Sequence, residues 1–428
     1  MKNLLYSCLF LVLASGCISV PANEQITTSS INTLVNSSPV NGCIQPVTTF
    51  AYPLDGVNKA LSNIETAPPK PWKTQANIFD LPAIKALPDA QHYINVQFTR
   101  KTENYLEVWV MDSWADQKKH IRGHSIYVYR TNNNTWKEVP SIIAKPQSEI
   151  YSLYLGSEGE VWAIASPEIG NVFGYYLGLS TNTARVFAVF NEKDNRFDSL
   201  KITQKIPIGG VSFDSDKFWI FEENGSIYDL DLKTLKTTKY LDPRNTNLAK
   251  YNASFPENLI QYDNALAFKK DGSFYFVDGT PREPDLYTRL DTRIYHFVPQ
   301  KNVLEIIENP LQGEPTLLHL FVDSADNLWV SDYGWMDEKG IWYQIVRSPV
   351  FITDKLEGSF LYWETPKIVL QSSSKSLWFQ SANGMVSLDP QKGEWCWFTT
   401  YQSNIVEDSD HNLWMIADGK LYKNPLGK

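Results

Sequence analysis

The strongest constraint on the fold is a short aromatic segment that recurs seven times along the chain. The copies read EVWVMD, EVWAIA, KFWIFE, SFYFVD, NLWVSD, SLWFQS and NLWMIA. Their central aromatic residues are Trp109, Trp162, Trp219, Tyr275, Trp329, Trp378 and Trp414. By subtraction of these residue numbers, successive copies lie 36 to 57 residues apart. A repeat with this period indicates an array of similar structural units.

Each unit has the composition of a small antiparallel sheet. Polar turns rich in Asp, Asn and Gly precede the aromatic segments, among them the similar DSADN and DSDHN, and such residues suit tight hairpins. Apolar segments that follow are predicted as third strands, for example SIYVYR, SIYDLDL and, in unit five, WYQIVR (342–347). Segments such as TTKYLD and EWCWFTT are predicted as fourth strands. Seven such units predict an all-β, seven-bladed β-propeller of four-stranded antiparallel blades over residues 71–428.

The last unit ends after three predicted strands. The segment PWKTQANIFDLP (71–82) precedes the first complete unit, and we expect it to supply the missing outer strand. Closure by an N-terminal strand would remove an open sheet edge, which otherwise invites aggregation.

The N-terminal sequence predicts export. Residues 1–16 combine Lys2 with a short apolar run, as in a signal peptide. The sequence LVLASGC resembles the lipobox of bacterial lipoproteins, which implies cleavage before Cys17 and lipidation, including palmitate, of that cysteine. An ordinary secretory signal is the alternative, and both place the protein outside the cytoplasm. The resemblance implies an anchor in a bacterial membrane, the outer membrane if the cell is Gram-negative.

Residues 17–70 are rich in Ser, Thr, Asn and Pro, a composition that predicts a flexible tether after the anchor cysteine. Two cysteines, Cys43 and Cys396, remain once Cys8 and Cys17 are assigned to the signal and the lipid anchor. An even pair in a disulfide-permitting compartment favours a bond between them, which would fasten the ring closure. Two buried free thiols are the alternative.

The repeats also resemble a known family. The pattern of LWFQSANGMVSLDPQKGEWCWF (Leu377–Phe398) is similar to the two-component-regulator propeller repeats of bacterial sensor proteins. The resemblance is clearest in units five to seven. It implies the propeller fold and does not specify a ligand.

Binding residues are predicted in long connectors between second and third strands, which should gather on one face of the ring. These connectors include MDSWADQKKHIRGH in unit one, SPEIGNVFGYYLGLSTNTAR in unit two, DGTPREPDLYTRLDT in unit four and DYGWMDEKG in unit five. They combine aromatic residues with both signs of charge, as surfaces for polar ligands, glycans or proteins do. The predicted binding residues are Asp112, Trp114, Arg122, Arg282, Asp285, Tyr287, Arg289, Trp335 and Asp337. Local packing of connector aromatics is the alternative.

Few features indicate catalysis. The sequence contains no HExxH, G-x-S-x-G or Gly-rich phosphate motif, and we expect no cofactor. The acidic turns are interpreted as hairpins because no calcium-loop Glu follows them. The formal charge of −9 argues against a nucleic-acid partner. However, Tyr262–Gly279 resembles a strand of gluconolactonase-type propellers, which implies Asn264 and Asp278 as metal ligands, with the remaining ligands and the metal unknown.

These observations predict a monomeric, non-catalytic binding or scaffold protein of the cell envelope. It would present a propeller loop face to a partner protein or polar ligand. A metal-dependent hydrolase or lactonase that uses the central channel is the alternative.

Overall fold

The computed structural model describes residues 42–44, 49–51, 72–116, 118–119, 121–144, 147–166, 186–202, 209–214, 216–222, 226–240, 266–277, 294–307, 319–331, 334–345, 367–381, 384–389, 394–398, 404–417 and 419–425. For residues 42–44, 49–51 and 394–398 the description covers the backbone. The N-terminal part forms three strands: β1 (Gly42–Ile44), β2 (Thr49–Ala51) and β3 (Lys73–Asn77). A 3-10 helix (Ile78–Asp80) and a single-turn helix α1 (Pro82–Lys85) follow β3.

The first four blades are consecutive antiparallel sheets. Blade one contains β4 (Gln91–Lys101), β5 (Leu106–Asp116), β6 (Ile121–Arg130) and β7 (Thr135–Val139). Blade two contains β8 (Ile142–Ala144), β9 (Gln147–Leu155), β10 (Val161–Ser166), β11 (Val186–Asn191) and β12 (Arg196–Ser199), of which β8 is an additional edge strand beside β9. Blade three contains β13 (Gly209–Asp214), β14 (Lys217–Glu222), β15 (Ile227–Asp231) and β16 (Lys236–Lys239). Blade four contains β17 (Ala267–Phe268), β18 (Phe274–Val277), β19 (Ile294–Val298) and β20 (Val303–Ile307).

The last three blades use strands from both ends of the chain. Blade five contains β21 (Leu320–Val322), β22 (Leu328–Val330), β23 (Gly334–Met336) and β24 (Trp342–Ile345), with β2 outside β24. Blade six contains β25 (Lys367–Gln371), β26 (Leu377–Ser381), β27 (Gly384–Asp389) and β28 (Glu394–Phe398), with β1 outside β28. Blade seven contains β29 (Ile405–Glu407), β30 (Asn412–Ala417) and β31 (Lys420–Pro425), with β3 as its fourth strand.

The predicted seven-bladed β-propeller and its closure by an N-terminal strand are confirmed. Strand β3 pairs with β31, as the sequence of residues 71–82 predicts, and β29 lies against β4 of blade one. Strands β1 and β2 fall inside residues 17–70, for which the composition predicts a tether. The sheets therefore begin to receive strands from the chain before residue 71.

Alternate residues of each strand pack against the two neighbouring blades, as the period of a β-strand requires. In β5, Trp109 and Met111 belong to the core shared with blade two, whereas Val108 and Val110 pack with Trp414 of blade seven. Burial of a large apolar side chain contributes roughly 1.5–3 kcal/mol. Each central aromatic therefore stabilises the interface between blades, which explains why the chain repeats it.

The two similar acidic turns, DSADN and DSDHN, have one structural role. The Asp323 carboxylate accepts hydrogen bonds from the backbone and side-chain amides of Asn327 and from the indole N–H of Trp329, the last at 2.9 Å. Asp408 binds the indole N–H of Trp414 at 2.8 Å in the same way. Each Asp thus fixes a hairpin turn and satisfies a buried tryptophan, in agreement with the interpretation of these turns as hairpins.

We call the end of the ring where first strands turn into second strands the lower face. There, residues in or next to the turns of one blade bind those of the next blade by hydrogen bonds. The pairs are Ser157–Asp216, Lys270–Asp326, Ser324–Gln371, Ser373–Glu407 and, with the Glu407 carbonyl as acceptor, Thr99–Glu407. Among the described residues, the lower-face turns thus serve largely to hold neighbouring blades together.

In blade five the sequence-based assignment of the third strand is wrong. The third strand is Gly334–Met336, and the segment predicted as the third strand forms β24, the fourth. The predicted connector DYGWMDEKG therefore contains a strand and a lower-face turn. A three-residue strand between polar residues has too short an alternation to stand out in the sequence.

In blade one the prediction of MDSWADQKKHIRGH as a connector is also wrong over most of its length. Strand β5 continues to Asp116 and β6 begins at Ile121. The polar residues Asp112 and His124 in these strands have partners that lie far away in the sequence. In the sequence these polar residues therefore look like loop residues, because their partners are not visible in the local pattern.

Candidate functional site

We call the opposite end of the ring, where second strands turn into third strands, the upper face. Blade one projects there because β4, β5 and β6 are each 10 or 11 residues long. The fourth strand of the blade, β7, ends where Val139 pairs with Ile126. Residues Ile121–Ser125 of β6 consequently extend beyond β7, by about 16 Å at roughly 3.3 Å per residue.

A histidine–carboxylate pair lies on the side of this projection that faces blade seven. His92 Nδ1 is 2.7 Å from Asp112 Oδ2, and His92 Nε2 is 3.4 Å from the carbonyl oxygen of Leu87. Asp112 is fully buried. Burial raises the pKa of Asp112, and the hydrogen bond and charge of His92 oppose that effect. Because both ring nitrogens of His92 face protein atoms, the pair holds β4 and β5 together and is not arranged to reach a substrate.

Trp114 lies across the projection, directly opposite Gly123. A Cβ atom at Gly123 would lie 2.7 Å from the indole ring, so glycine is what allows the ring to lie over β6. The indole N–H donates to Ser125 Oγ at 3.2 Å. The contacts with Gly123 and Ser125 hold the half-buried Trp114 ring in one orientation. Further along β6, burial raises the pKa of Tyr127 to about 12.

A second histidine–carboxylate pair joins the projection to blade two. Glu149 Oε1, at the start of β9, accepts the backbone N–H of His124 at 2.7 Å and lies 3.1 Å from His124 Nδ1. The carboxylate thus binds β6 where β7 no longer does. The projection is thus joined to blade two by Glu149 and held together internally by the His92–Asp112 pair.

Exposed apolar side chains lie near these polar pairs, on both sides of the projection. Phe79 packs against His92 with ring centroids 6.4 Å apart, Tyr93 follows His92 in β4, and Ile142 lies opposite Glu149. Ile121 lies at the tip of the β5–β6 hairpin. We call this set the upper surface of blade one. It comprises Tyr93, Trp114, Ile121 and His124 of blade one, together with the adjoining Phe79 of the 3-10 helix and Ile142 of β8 in blade two.

The predicted binding residues fall into three groups. Asp112, Trp114 and Arg122 lie together in the projection of blade one, with Asp112 buried and the other two half-buried. Trp335 and Asp337 lie elsewhere in the ring, in blade five. The remaining predicted residues are outside the described part of the chain: Arg282, Asp285, Tyr287 and Arg289.

Trp335 and Asp337 do not occupy a connector on the upper face. The Trp335 ring is stacked between Trp329, at 4.6 Å, and Tyr343, at 5.1 Å, and packs toward blade six. Asp337 begins the turn between third and fourth strands and accepts the backbone N–H of Ile341 at 2.8 Å. That turn belongs to the lower face.

The sequence-based reasoning missed His92, Glu149 and Phe79 as contributors to this surface. The long alternation in QHYINVQFTRK and IRGHSIYVYR could have predicted extended strands. The contacts His92–Asp112 and His124–Glu149 join residues that are 20 and 25 positions apart, so a local sequence pattern cannot predict them.

The proposed metal ligands of the alternative function, Asn264 and Asp278, lie outside the described residues. Within the described part of the chain, no group of three or more His, Cys, Asp or Glu residues is placed to hold a metal ion. No helix among the described residues is long and apolar enough to cross a membrane.

Comparison with known proteins gives structural likenesses only. No protein-family model matches the sequence, and no curated protein matches it. The extracellular domain of a hybrid two component system from B. thetaiotaomicron is similar over 84% of this chain and 40% of that one, with 12% identity and a TM-score of 0.49. YCF48 from Cyanidioschyzon merolae is similar over 82% of this chain and 98% of that one, with 12% identity and a TM-score of 0.48. A structure of YCF48 bound to D1 peptide covers 79% of this chain and 95% of that one, with 10% identity and a TM-score of 0.45. At these values the likeness says nothing about the ligands or partners of this chain.

Proposed function

We propose that this protein is an extracytoplasmic, non-catalytic binding protein that docks a partner protein on the upper surface of blade one. The observation that carries the proposal is the distribution of exposed apolar side chains. Six large apolar residues are exposed in the described part of the chain, and Phe79, Tyr93, Ile121 and Ile142 are four of them, with 40 to 45% of their surface accessible. Tyr93 and Ile121 lie on the projection of blade one, Phe79 lies in the 3-10 helix and Ile142 lies on β8 of blade two. Exposed apolar residues at one end of a protein are typical of a protein interface.

The polar groups around this cluster fit the same role. Asp89 and Lys118 form an exposed ion pair at 3.0 Å, and the half-buried Arg122 and His124 lie beside the apolar residues. A protein interface commonly has an apolar centre with a polar rim of both charges. A glycan or another small polar ligand would need fewer exposed aliphatic side chains, and we therefore favour a protein partner.

In blade four, β18 ends and β19 begins at the upper face. We propose that Arg282, Asp285, Tyr287 and Arg289 in the connector between β18 and β19 add contacts to the partner. Trp335 and Asp337 are not part of the proposed surface because they lie in the blade-five core and in a lower-face turn.

Site-specific cross-linking tests the proposal. A photoreactive amino acid at position 121 or 142 should give one discrete cross-linked product in intact cells, because both positions face the partner. Positions 303 and 341 are matched controls, since Val303 and Ile341 are equally exposed but lie in blades four and five. The proposal is wrong if positions 303 and 341 give the same product in similar yield, or if positions 121 and 142 give none.

We further propose that the protein is anchored to a membrane by lipid on Cys17. The lipobox-like sequence supports this, and the substitution Cys17→Ser tests it. The variant should leave the membrane fraction and appear in the soluble extracytoplasmic fraction. Retention of Cys17→Ser in the membrane fraction would contradict lipid anchoring and would leave the docking proposal intact.

A further inference from the structure

We propose that a disulfide bond between Cys43 and Cys396 fastens the N-terminal segment (residues 42–51) to the outer edge of the ring. The backbone register carries this proposal. Strand β1 pairs antiparallel with β28, and Cys43 lies directly opposite Cys396 in that pairing. The sequence favours a bond between the two residues, and the register adds that they meet on adjacent strands.

The spacing of an antiparallel ladder suits such a bond. Directly opposite residues have Cα atoms roughly 4.5 to 5.5 Å apart, depending on whether the pair is hydrogen-bonded. Disulfide-linked residues have Cα atoms about 4.4 to 6.8 Å apart. The two strands therefore need no change in backbone position to be joined.

The bond would stabilise contacts that are weak without it. Strands β1 and β2 are three residues long and, among the described residues, each pairs with one strand, β28 of blade six and β24 of blade five. Ladders this short are marginal in water. A covalent link at β1 would keep the segment in place, and the segment in turn covers two outer edges that could otherwise pair with another chain.

The same arrangement predicts that the segment and the ring respond separately to reduction. Ring closure depends on β3, which pairs with β31 of blade seven and not with β1 or β2. Reduction should therefore release the N-terminal segment while the propeller stays folded. Residues 52–71 connect the two parts in sequence.

Formation of the bond is an ordinary dithiol oxidation. One cysteine thiolate attacks the disulfide of an oxidising protein or small molecule, which gives a mixed disulfide and releases one thiolate. The second cysteine thiolate then displaces the remaining sulfur. The two thiols lose two protons and two electrons, and the external disulfide is reduced to two thiols. Extracytoplasmic compartments supply oxidants of this class.

Peptide mapping tests the bond directly. The full-length chain, purified from the extracytoplasmic fraction, is denatured without reductant, alkylated and digested. We expect a peptide pair that contains Cys43 and Cys396 and that separates after reduction. Alkylation of both residues before reduction, or linkage of Cys43 to a different cysteine, would overturn the proposal.

Limited proteolysis tests the predicted role of the bond. In the native oxidised protein, sites within residues 42–51 should be protected. Reduction, or the double substitution Cys43→Ser with Cys396→Ser, should increase the cleavage rate there at least tenfold while the fragment from residue 72 onward stays intact. Reductant should have no further effect on the double variant. Equal protection in the oxidised and reduced wild-type protein would show that the bond does not hold the segment.

Discussion

At the residue scale, the repeated acidic turn is best understood as a capping device for a buried indole. Asp408 accepts the indole N–H of Trp414 and the amides of the same turn. Both residues are buried, so removal of the carboxylate leaves several donors without an acceptor. A buried donor without a partner costs about 1–3 kcal/mol.

We therefore predict that Asp408→Ala lowers the free energy of unfolding by about 3 kcal/mol. The matched control is Asp410→Ala in the same turn. The side chain of Asp410 is exposed and forms a 3.6 Å surface ion pair with Lys101, so its loss should cost less than about 1 kcal/mol. Chemical denaturation of both variants is the measurement. Similar losses would contradict the capping role.

The buried Asp112 gives a prediction about pH. Its pKa is raised in the folded state because burial disfavours the charged carboxylate. The group therefore contributes stability that is full below its unfolded pKa and is lost as the pH rises through its folded pKa. The substitution Asp112→Asn removes this loss of stability because the Asn side chain does not ionise. The stability of the variant relative to the wild type should increase from pH 4 to pH 7.

Asp116, in the same strand, provides a control of opposite sign. Its pKa is lowered, mainly because its carboxylate accepts the backbone N–H of Lys119. Its contribution is present above the unfolded pKa and is lost as the pH falls. The stability of Asp116→Asn relative to the wild type should therefore decrease as the pH rises from 2 to 5, the range that includes the unfolded pKa and extends below it. The same trend for both variants would show that His92 and not burial controls Asp112.

At this scale the sequence predicts the structural role of a residue better than it predicts the residues that it contacts. The turn aspartates and central aromatics were predicted as structural, and the hydrogen bonds agree. The partners of Asp112 and His124 lie on other strands, and pairing between strands depends on register that local composition does not specify.

At the element scale, the closing strand β3 is followed by a close contact between the 3-10 helix and blade seven. Gly419 lies between β30 and β31 with a φ of +70°. A Cβ atom there would lie 2.1 Å from the ring of Phe79. The contact places Phe79 on the upper face beside His92.

We predict that Gly419→Ala is more destabilising than Gly340→Ala. Gly340 has a φ of +79°, but a Cβ atom there would meet nothing within 4 Å. Gly340→Ala should cost only the backbone strain, about 1–2 kcal/mol, and Gly419→Ala should cost about 1–3 kcal/mol more because the helix must move. Thermal or chemical unfolding measures the difference. Equal costs would show that the ring of Phe79 yields freely.

The two misassigned elements show where the sequence pattern is insufficient. The strand Gly334–Met336 is too short to show an alternation of its own. The upper halves of β5 and β6 contain the polar residues Asp112 and His124, whose hydrogen-bond partners, His92 and Glu149, lie 20 and 25 positions away in the sequence. In both cases the missing information is tertiary.

At the scale of the whole molecule, the sequence predicts the architecture well because the repeat encodes it seven times. Each unit carries the same turn chemistry and the same central aromatic, and these local preferences agree with the global fold. Closure by residues 71–82 follows from the three-stranded last unit. The proposed binding surface includes the projection of blade one, which occurs once, so the repeat does not predict it.

The division between the two faces supports one functional arrangement. In the described residues, lower-face turns are joined by hydrogen bonds between neighbouring blades, whereas the upper surface of blade one exposes apolar side chains. The ring therefore offers a rigid support, and the upper surface of blade one is the docking region that we propose.

The most direct test of this account is the affinity for the partner identified by cross-linking. Three variants of the whole protein would be compared: the wild type, the upper variant Tyr93→Ser/Ile121→Ser/Ile142→Ser and the control variant Val303→Ser/Ile341→Ser. Unfolding curves of all three would show that the ring remains intact. We predict that the upper variant raises the Kd at least tenfold, about 1.4 kcal/mol of binding free energy, while the control variant changes it less than twofold. An unchanged Kd for the upper variant, or an equal loss in both variants, would contradict docking on the upper surface of blade one.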